Sequence, residues 1–231
     1  MAHDYTAREI LLKIMQASQE IATFYKQDFI NYRGRTKDTN EYYTEIVAEW
    51  CSENISLFGE IPKITRRASY KTPKHNGNPA NAISNRTEEL IAMSMFRQGE
   101  LPIVGKILDY QTPLKYKRAD NAGKIDLLAY DGKVLRILEL KEPESTESML
   151  RCILEGHTYF QIVDKEKLLQ DFSLPAHTSV EASPFVFLNG QQHKEMREKR
   201  PQIRRLSALL HSKPFYIVKQ ENGNYDVTED E

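Results

Sequence analysis

The stretch from Gly123 to Lys141 constrains this chain more than any other. It reads Gly-Lys-Ile-Asp-Leu-Leu-Ala-Tyr-Asp-Gly-Lys-Val-Leu-Arg-Ile-Leu-Glu-Leu-Lys. Two apolar runs flank Asp131-Gly132, a dipeptide suited to a tight hairpin because both residues tolerate positive φ. A two-residue turn there sets Tyr130 against Lys133, and counting back places Asp126 opposite Ile137. Side chains alternate along a strand, so Asp126, Glu139 and Lys141 fall on one face of the pair. Asp126 and Glu139 become diagonal neighbours with Cα atoms about 7–8 Å apart, close enough to converge on one divalent cation. The remaining positions (Ile125, Leu127, Leu128, Val134, Leu135, Leu138, Leu140) are apolar on both faces, the pattern of a sheet covered on each side. Ionisable groups on such a sheet carry a desolvation cost, tolerated where they pair with one another or bind metal. A salt-bridged rim at a strand end is the plainer alternative.

The rest of the chain sets this hairpin in an α/β (α+β) context. Residues 1–60 read as an N-terminal helical extension. Leu11, Leu12, Ile14, Met15, Ile21, Ala22, Phe24 and Tyr25 recur at helical spacing, as do Tyr43, Ile46, Val47 and Trp50 after a break near Gly34. Residues 61–231 read as a second unit. Pro62, Pro73, Gly77 and Pro79 make 59–84 irregular. Asn85-Arg86-Thr87-Glu88 can cap a helix that runs to about Gln98 and stops at Gly99. Extended segments follow at about 104–111, 124–130 and 133–141. A helix is expected over 145–163, a strand at 184–188, a helix from Pro201 to His211, and strands at 214–219 and 224–228. The expected fold is a mixed β-sheet flanked by helices.

Composition excludes whole classes. The hydrophobic fraction is 40%, with 12 Tyr, 9 Phe and 1 Trp, enough for a real core. No apolar run is long enough for a membrane span, and the start lacks the basic and apolar segments of a secretory signal. Cys51 and Cys152 lie far apart and form no metal-ligand pair, so a reduced, cytoplasmic setting is expected. The net charge of -1 conceals an uneven distribution. Residues 1–60 hold six Lys/Arg against ten Asp/Glu, whereas 63–75 hold five Lys/Arg and no acid, and 194–205 are again basic. A near-neutral chain can therefore present a basic face to a polyanion. No P-loop, dinucleotide glycine fingerprint, nucleophile elbow or His-rich metal pattern is present.

Asp126 followed by Glu139-Leu140-Lys141 resembles the catalytic motif of the PD-(D/E)XK, or restriction-endonuclease-like, nuclease superfamily. The order α-β-β-β-α-β over about 85–188 is similar to that family's core. Ile125 precedes the aspartate where other members have proline. The resemblance implies phosphodiester hydrolysis with Mg²⁺ or Mn²⁺ held by Asp126, Glu139 and the backbone carbonyl of Leu140. Lys141 would orient or activate the attacking water and neutralise charge on the phosphate. Family members often add a glutamate from the first core helix. Glu88 and Glu89 both qualify, with a slight preference for Glu88, and both also suit a helix N-terminus as plain acidic residues. On the helix after the motif, Arg151, Glu155 and Tyr159 stand at successive i, i+4 positions. Some relatives carry Gln-x-x-x-Tyr there, and this chain departs from them with Glu155. Arg151 and Glu155 read equally well as an exposed ion pair.

A nuclease needs cations beside its acidic centre. Candidates are Arg66, Arg67, Lys71 and Lys74 before the core, and Lys199, Arg200, Arg204 and Arg205 after it, with Tyr70 able to stack on a base. DNA is the expected partner. Cleavage of both strands of a duplex would need two active sites, so the N-terminal helices would either support a homodimer or cover one face of the same core. The rival expectation is a restriction-like fold without catalysis, serving as a nucleic-acid-binding or protein-interaction module. Retention of all three of Asp126, Glu139 and Lys141 argues against that rival.

Overall fold

A computed structural model describes residues 4–78, 86–117, 120 and 122–229. Two features named above lie outside the described residues: the first three positions, and Pro79 with Asn85 of the expected cap. The expected mixed sheet with flanking helices is present. Seven strands run in the order of the chain: β1 (Glu100–Leu101), β2 (Gly105–Pro113), β3 (Lys124–Tyr130), β4 (Val134–Leu140), β5 (Ser179–Phe187), β6 (Phe215–Lys219) and β7 (Tyr225–Thr228). Pairing is antiparallel from β1 to β4 and between β6 and β7, and parallel for β4–β5 and β5–β6.

The hairpin register differs from the expected one by two residues. Tyr130 pairs with Leu135, and Leu127 with Leu138. The cause is the Asp131 side chain. Its Oδ1 accepts the amides of Lys133 and Val134, both at 2.8 Å, and Oδ2 takes Arg136 at 2.6 Å. With Gly132 at φ +97°, these bonds draw Lys133 and Val134 into a wider turn. Continuing the register one step sets Asp126 across from Glu139 rather than Ile137. A slip of two preserves parity, so Asp126, Glu139 and Lys141 still share a face.

Eight α-helices cover the sheet among the described residues: α1 (Ala7–Ala17), α2 (Tyr43–Glu53), α3 (Ile55–Gly59), α4 (Thr87–Gln98), α5 (Met149–Ile162), α6 (Lys165–Asp171), α7 (Gln191–Arg197) and α8 (Pro201–Leu209). Two 3₁₀ segments, Ser18–Lys26 and Asp28–Asn31, connect α1 to the rest. α1 starts at a capping box in which Thr6 and Glu9 bond each other's backbone amides. α4 stops at Gly99, whose φ of +87° ends the helix as its sequence suggests. α6 and α7, both of seven residues, carry too few periodic positions to stand out in the sequence.

Each sheet face has its own apolar layer. On one, Ile10, Ile14, Phe24, Phe29, Val47 and Phe58 of the N-terminal region join Ile153 and Leu154 of α5 over Leu128, Leu135 and Ile137. On the other, Ile91 and Met95 of α4 pack with Leu127, Leu138, Leu140 and Phe185. The first sixty residues thus cover one face of the sheet. Fully burying a Leu, Ile or Phe side chain contributes roughly 1.5–3 kcal/mol, so this layer is part of the core. The helical period of α1 selects Ile10 and Ile14 for burial and leaves Leu12 and Met15 58% and 60% exposed. Cys51 and Cys152 are buried thiols without a disulfide. No helix among the described residues is long and apolar enough to cross a membrane.

Candidate active site

β3 begins and β4 ends beside α5, and there a cleft of about 700 Å³ opens. Asp126, Glu139 and Lys141 lie in its lining, with Glu88, Gln111, Glu147, Arg151, Glu155 and Tyr159 among the other contributors. β3 supplies Asp126 and β4 supplies Glu139, while Lys141 follows the end of β4. α4 packs on the opposite face, yet its first turn reaches this end of the sheet. Glu88 Oε1 there accepts the amide of Glu142 at 3.3 Å.

Asp126 is held by both oxygens. Oδ1 accepts from Gln111 Nε2 at 2.9 Å, and Oδ2 from the Leu140 amide at 3.0 Å. Gln111 lies on β2, between the Tyr110–Leu127 and Thr112–Ile125 pairs. Its role was not visible in the sequence, because only the pairing of β2 with β3 brings it alongside Asp126. The neighbours packed around the floor of the cleft strip Asp126 of water and push its carboxyl up to about 7. Lys141 pulls in the other direction, Glu88 and Glu155 add to the rise, and the Leu140 amide opposes it.

Glu139 and Lys141 are 3% and 5% exposed. Burial and the charges of Glu155 and Asp126 raise Glu139 well above the usual carboxylate range, against the pull of Lys141. Lys141 Nζ donates to Glu139 Oε1 at 2.8 Å. It also makes ion-pair contacts with Glu147 Oε2 at 2.9 Å and Glu155 Oε2 at 3.6 Å. Burial works to lower the Lys141 ammonium, but the charges of Glu139, Glu155 and Asp126 outweigh it and lift it well above its ordinary value. The surrounding carboxylates therefore favour the charged form of Lys141.

The structure separates Glu88 from Glu89. Burial raises Glu88, which feels the charge of Lys141 and in turn raises Asp126. Glu89 also lines the cleft but pairs with Arg86 at 3.3 Å. Arg151 and Glu155, equally readable as an exposed pair, are largely buried and bonded at 3.1 Å. Burial disfavours the Glu155 carboxylate, yet Lys141, Arg151 and the Tyr159 hydroxyl hold it below the usual range. Tyr159 packs so closely against Gly123 that any Cβ there would overlap its hydroxyl.

The eight basic residues expected to hold nucleic acid lie elsewhere. None of Arg66, Arg67, Lys71, Lys74, Lys199, Arg200, Arg204 and Arg205 lines the cleft, whose cations are Arg86, Lys124, Lys141 and Arg151. Arg67, Lys71, Lys74 and Arg205 are exposed. Arg66 donates to the carbonyls of Ser69 and Lys115, and Arg204 to that of Met196. Arg200 requires a correction. It is 3% exposed, stacks on the Tyr42 ring at 3.3 Å and bonds Glu198 and Thr44, so its guanidinium ties α8 to α2. Tyr70 is likewise no base platform. It is fully buried, and its hydroxyl accepts the Asp164 amide at 3.1 Å.

Acidic groups outnumber basic ones in the cleft lining, with Glu142 and Glu144 adding to those above. Among the described residues, no group of three or more His, Cys, Asp or Glu side chains converges as a ready cage for an ion. Comparison with protein-family models, curated proteins and solved structures finds no match to this chain.

Proposed function

We propose that this chain is a metal-dependent nuclease that hydrolyses phosphodiester bonds, with DNA as its substrate and restriction, defence or repair as its setting. One observation carries the reading: Asp126, Glu139 and Lys141, apart in sequence, line one cleft together with Glu88. The order α4, β2, β3, β4, α5, β5, with the two-residue β1 and the short α6 interposed, supports it through its similarity to the α-β-β-β-α-β order of restriction-endonuclease-like cores.

The donor chemistry suits Mg²⁺ or Mn²⁺. Such ions take oxygen ligands and are commonly held by one or two carboxylates plus water, so a closed protein cage is not required. Asp126 and Glu139, with the Leu140 carbonyl and Glu88 nearby, are that kind of set. Their raised proton affinities reflect burial first and neighbouring negative charge second, and a dication would offset both by favouring the ionised carboxylates. When bound, the ion would polarise the scissile phosphate and make a bound water more acidic.

The chain's own residues do the rest. Gln111 and the Leu140 amide fix the Asp126 carboxylate, so it need not reorganise as charge develops. Lys141, held by Glu139, Glu147 and Glu155, donates a hydrogen bond to a phosphate oxygen or to the attacking water and orients it.

The test is cleavage of labelled single-stranded DNA, duplex DNA and RNA with Mg²⁺ or Mn²⁺, using EDTA as the blank. Wild type is compared with Asp126→Asn and Lys141→Met. Cutting should disappear in EDTA and fall by about 10²–10³-fold or more in each variant. Intact polymers throughout, together with no Mn²⁺ uptake by calorimetry, would instead indicate a non-catalytic binding module.

A further inference from the structure

We infer that Glu155 is a positioning residue that holds the Lys141 ammonium over the reacting centre; the inference rests on the nuclease reading of the cleft. An ammonium has three donors on a flexible stem, so a buried lysine acts at a defined point only where its surroundings fix it. Here three carboxylates surround it. Glu139 is two residues away on the same strand and belongs to the reacting centre itself. Glu147 sits on the loop before α5 with a side chain 32% exposed. Glu155 alone comes from the middle of a helix.

Its own geometry is fixed on both oxygens. Oε1 accepts from the Tyr159 hydroxyl at 2.8 Å, and Oε2 from Arg151 Nε at 3.1 Å. Arg151 is anchored in turn, donating to the Tyr25 carbonyl at 2.5 Å and lying over the Tyr25 ring at 4.8 Å. The helix beneath them is secured at its start, where Ser148 accepts the Arg151 amide and Glu195 accepts the Met149 amide at 2.8 Å. The next residue, Gly156, faces β4, where an added Cβ would make an ordinary 3.7 Å contact with Glu139 Cβ, so this part of α5 lies directly over the strand. The chain from Tyr25 through Arg151 and Glu155 to Lys141 links the N-terminal layer to the cleft.

A purely structural Arg151–Glu155 pair would be indifferent to Lys141, which separates the two roles. Glu155→Gln keeps the shape and removes the charge. Its melting temperature should fall, because Arg151 and Lys141 lose a buried counter-charge, but in the folded protein KM should change little and kcat should fall by roughly 10²-fold. In a Lys141→Met background the same substitution should have no further effect, because the group it positions is gone. Peptide mapping after brief amine acylation supplies a readout independent of activity: Lys141 should be protected in wild type and labelled in Glu155→Gln. Tyr159→Phe, which frees one Glu155 oxygen without altering charge, serves if Glu155→Gln does not fold, and should show the same effects more weakly. An unchanged kcat with Lys141 still protected would overturn the inference, as would additive losses in the double variant. Should wild type cut no nucleic acid, the nuclease reading falls, and the acylation result alone decides whether Glu155 positions Lys141.

Discussion

Asp126 Oδ2 accepts the backbone amide of Leu140 at 3.0 Å, one step beyond the Leu127–Leu138 pair that ends the regular β3–β4 ladder. A side chain thus fills a place that a carbonyl would occupy, and the group read as a metal ligand is also part of the sheet. Removing the acceptor leaves a buried donor unsatisfied, at a cost of about 1–3 kcal/mol. Asp126→Asn should therefore be at least about 1 kcal/mol more stable than Asp126→Ala in urea denaturation. Equal stability of the two would show that this bond contributes nothing.

Crowded carboxylates in the cleft should make the fold itself respond to divalent ions. Mg²⁺ or Mn²⁺ at about 100 times its Kd should stabilise wild type by about 2.7 kcal/mol, seen as a rise in melting temperature. Asp126→Asn and Glu139→Gln should lose most of that rise. A rise of the same size in both variants would place the ion elsewhere.

His157 makes stability fall as pH is lowered from 6.5 toward 4, against the opposite contribution of the raised Asp126 and Glu139 carboxyls, so its share is read as the difference between wild type and His157→Gln. Burial among Phe58 and Phe160 is the main cause lowering its pKa from 6.5 to about 4, helped by the Lys165 charge and opposed by a bond with the Phe58 backbone. Between those values the unfolded chain binds the proton and the folded chain does not, so each step down in pH favours unfolding. The loss attributable to this residue is about 2–3 kcal/mol across the window. His157→Gln, uncharged throughout, should flatten that part of the stability curve measured by denaturation at pH 4, 5, 6 and 7.

Arg200 should behave as a structural residue. Arg200→Ala removes its stacking on Tyr42 and orphans the Thr44 hydroxyl bond between α8 and α2. A destabilisation of about 2 kcal/mol or more is expected, against less than about 0.5 kcal/mol for Arg67→Ala on the surface. Nucleic-acid affinity of the folded Arg200→Ala protein, measured below its melting temperature, should equal that of wild type. A selective loss of affinity with stability intact would return Arg200 to the binding surface.

The strands and most longer helices were legible because their signals are local. The apolar run over 124–130, the Gly99 stop and Pro201 act within a few residues of themselves. β5 begins at Ser179, earlier than the apolar 184–188 core suggests, because its first half is recruited by pairing with Val134–Leu138 of β4. α6 and α7 escaped notice because short helices depend on tertiary packing more than on their own period. The hairpin turn was misjudged by two residues because Asp131 spends its side chain on the Lys133 and Val134 amides instead of closing a two-residue loop.

By itself, the amino-acid order determined that Asp126, Glu139 and Lys141 share one face, since parity along a strand is a local property and survives a slip of two residues. It also placed Arg151, Glu155 and Tyr159 on one side of a helix, by the same kind of counting. Only the tertiary structure decided which charges matter together. It turned Glu88 rather than Glu89 toward the pair, set Gln111 beside Asp126, and buried Arg200 and Tyr70 away from any substrate. Burial is a property of everything packed around a residue, and the electrostatic strength of a pair depends on that burial. No local pattern carries that information.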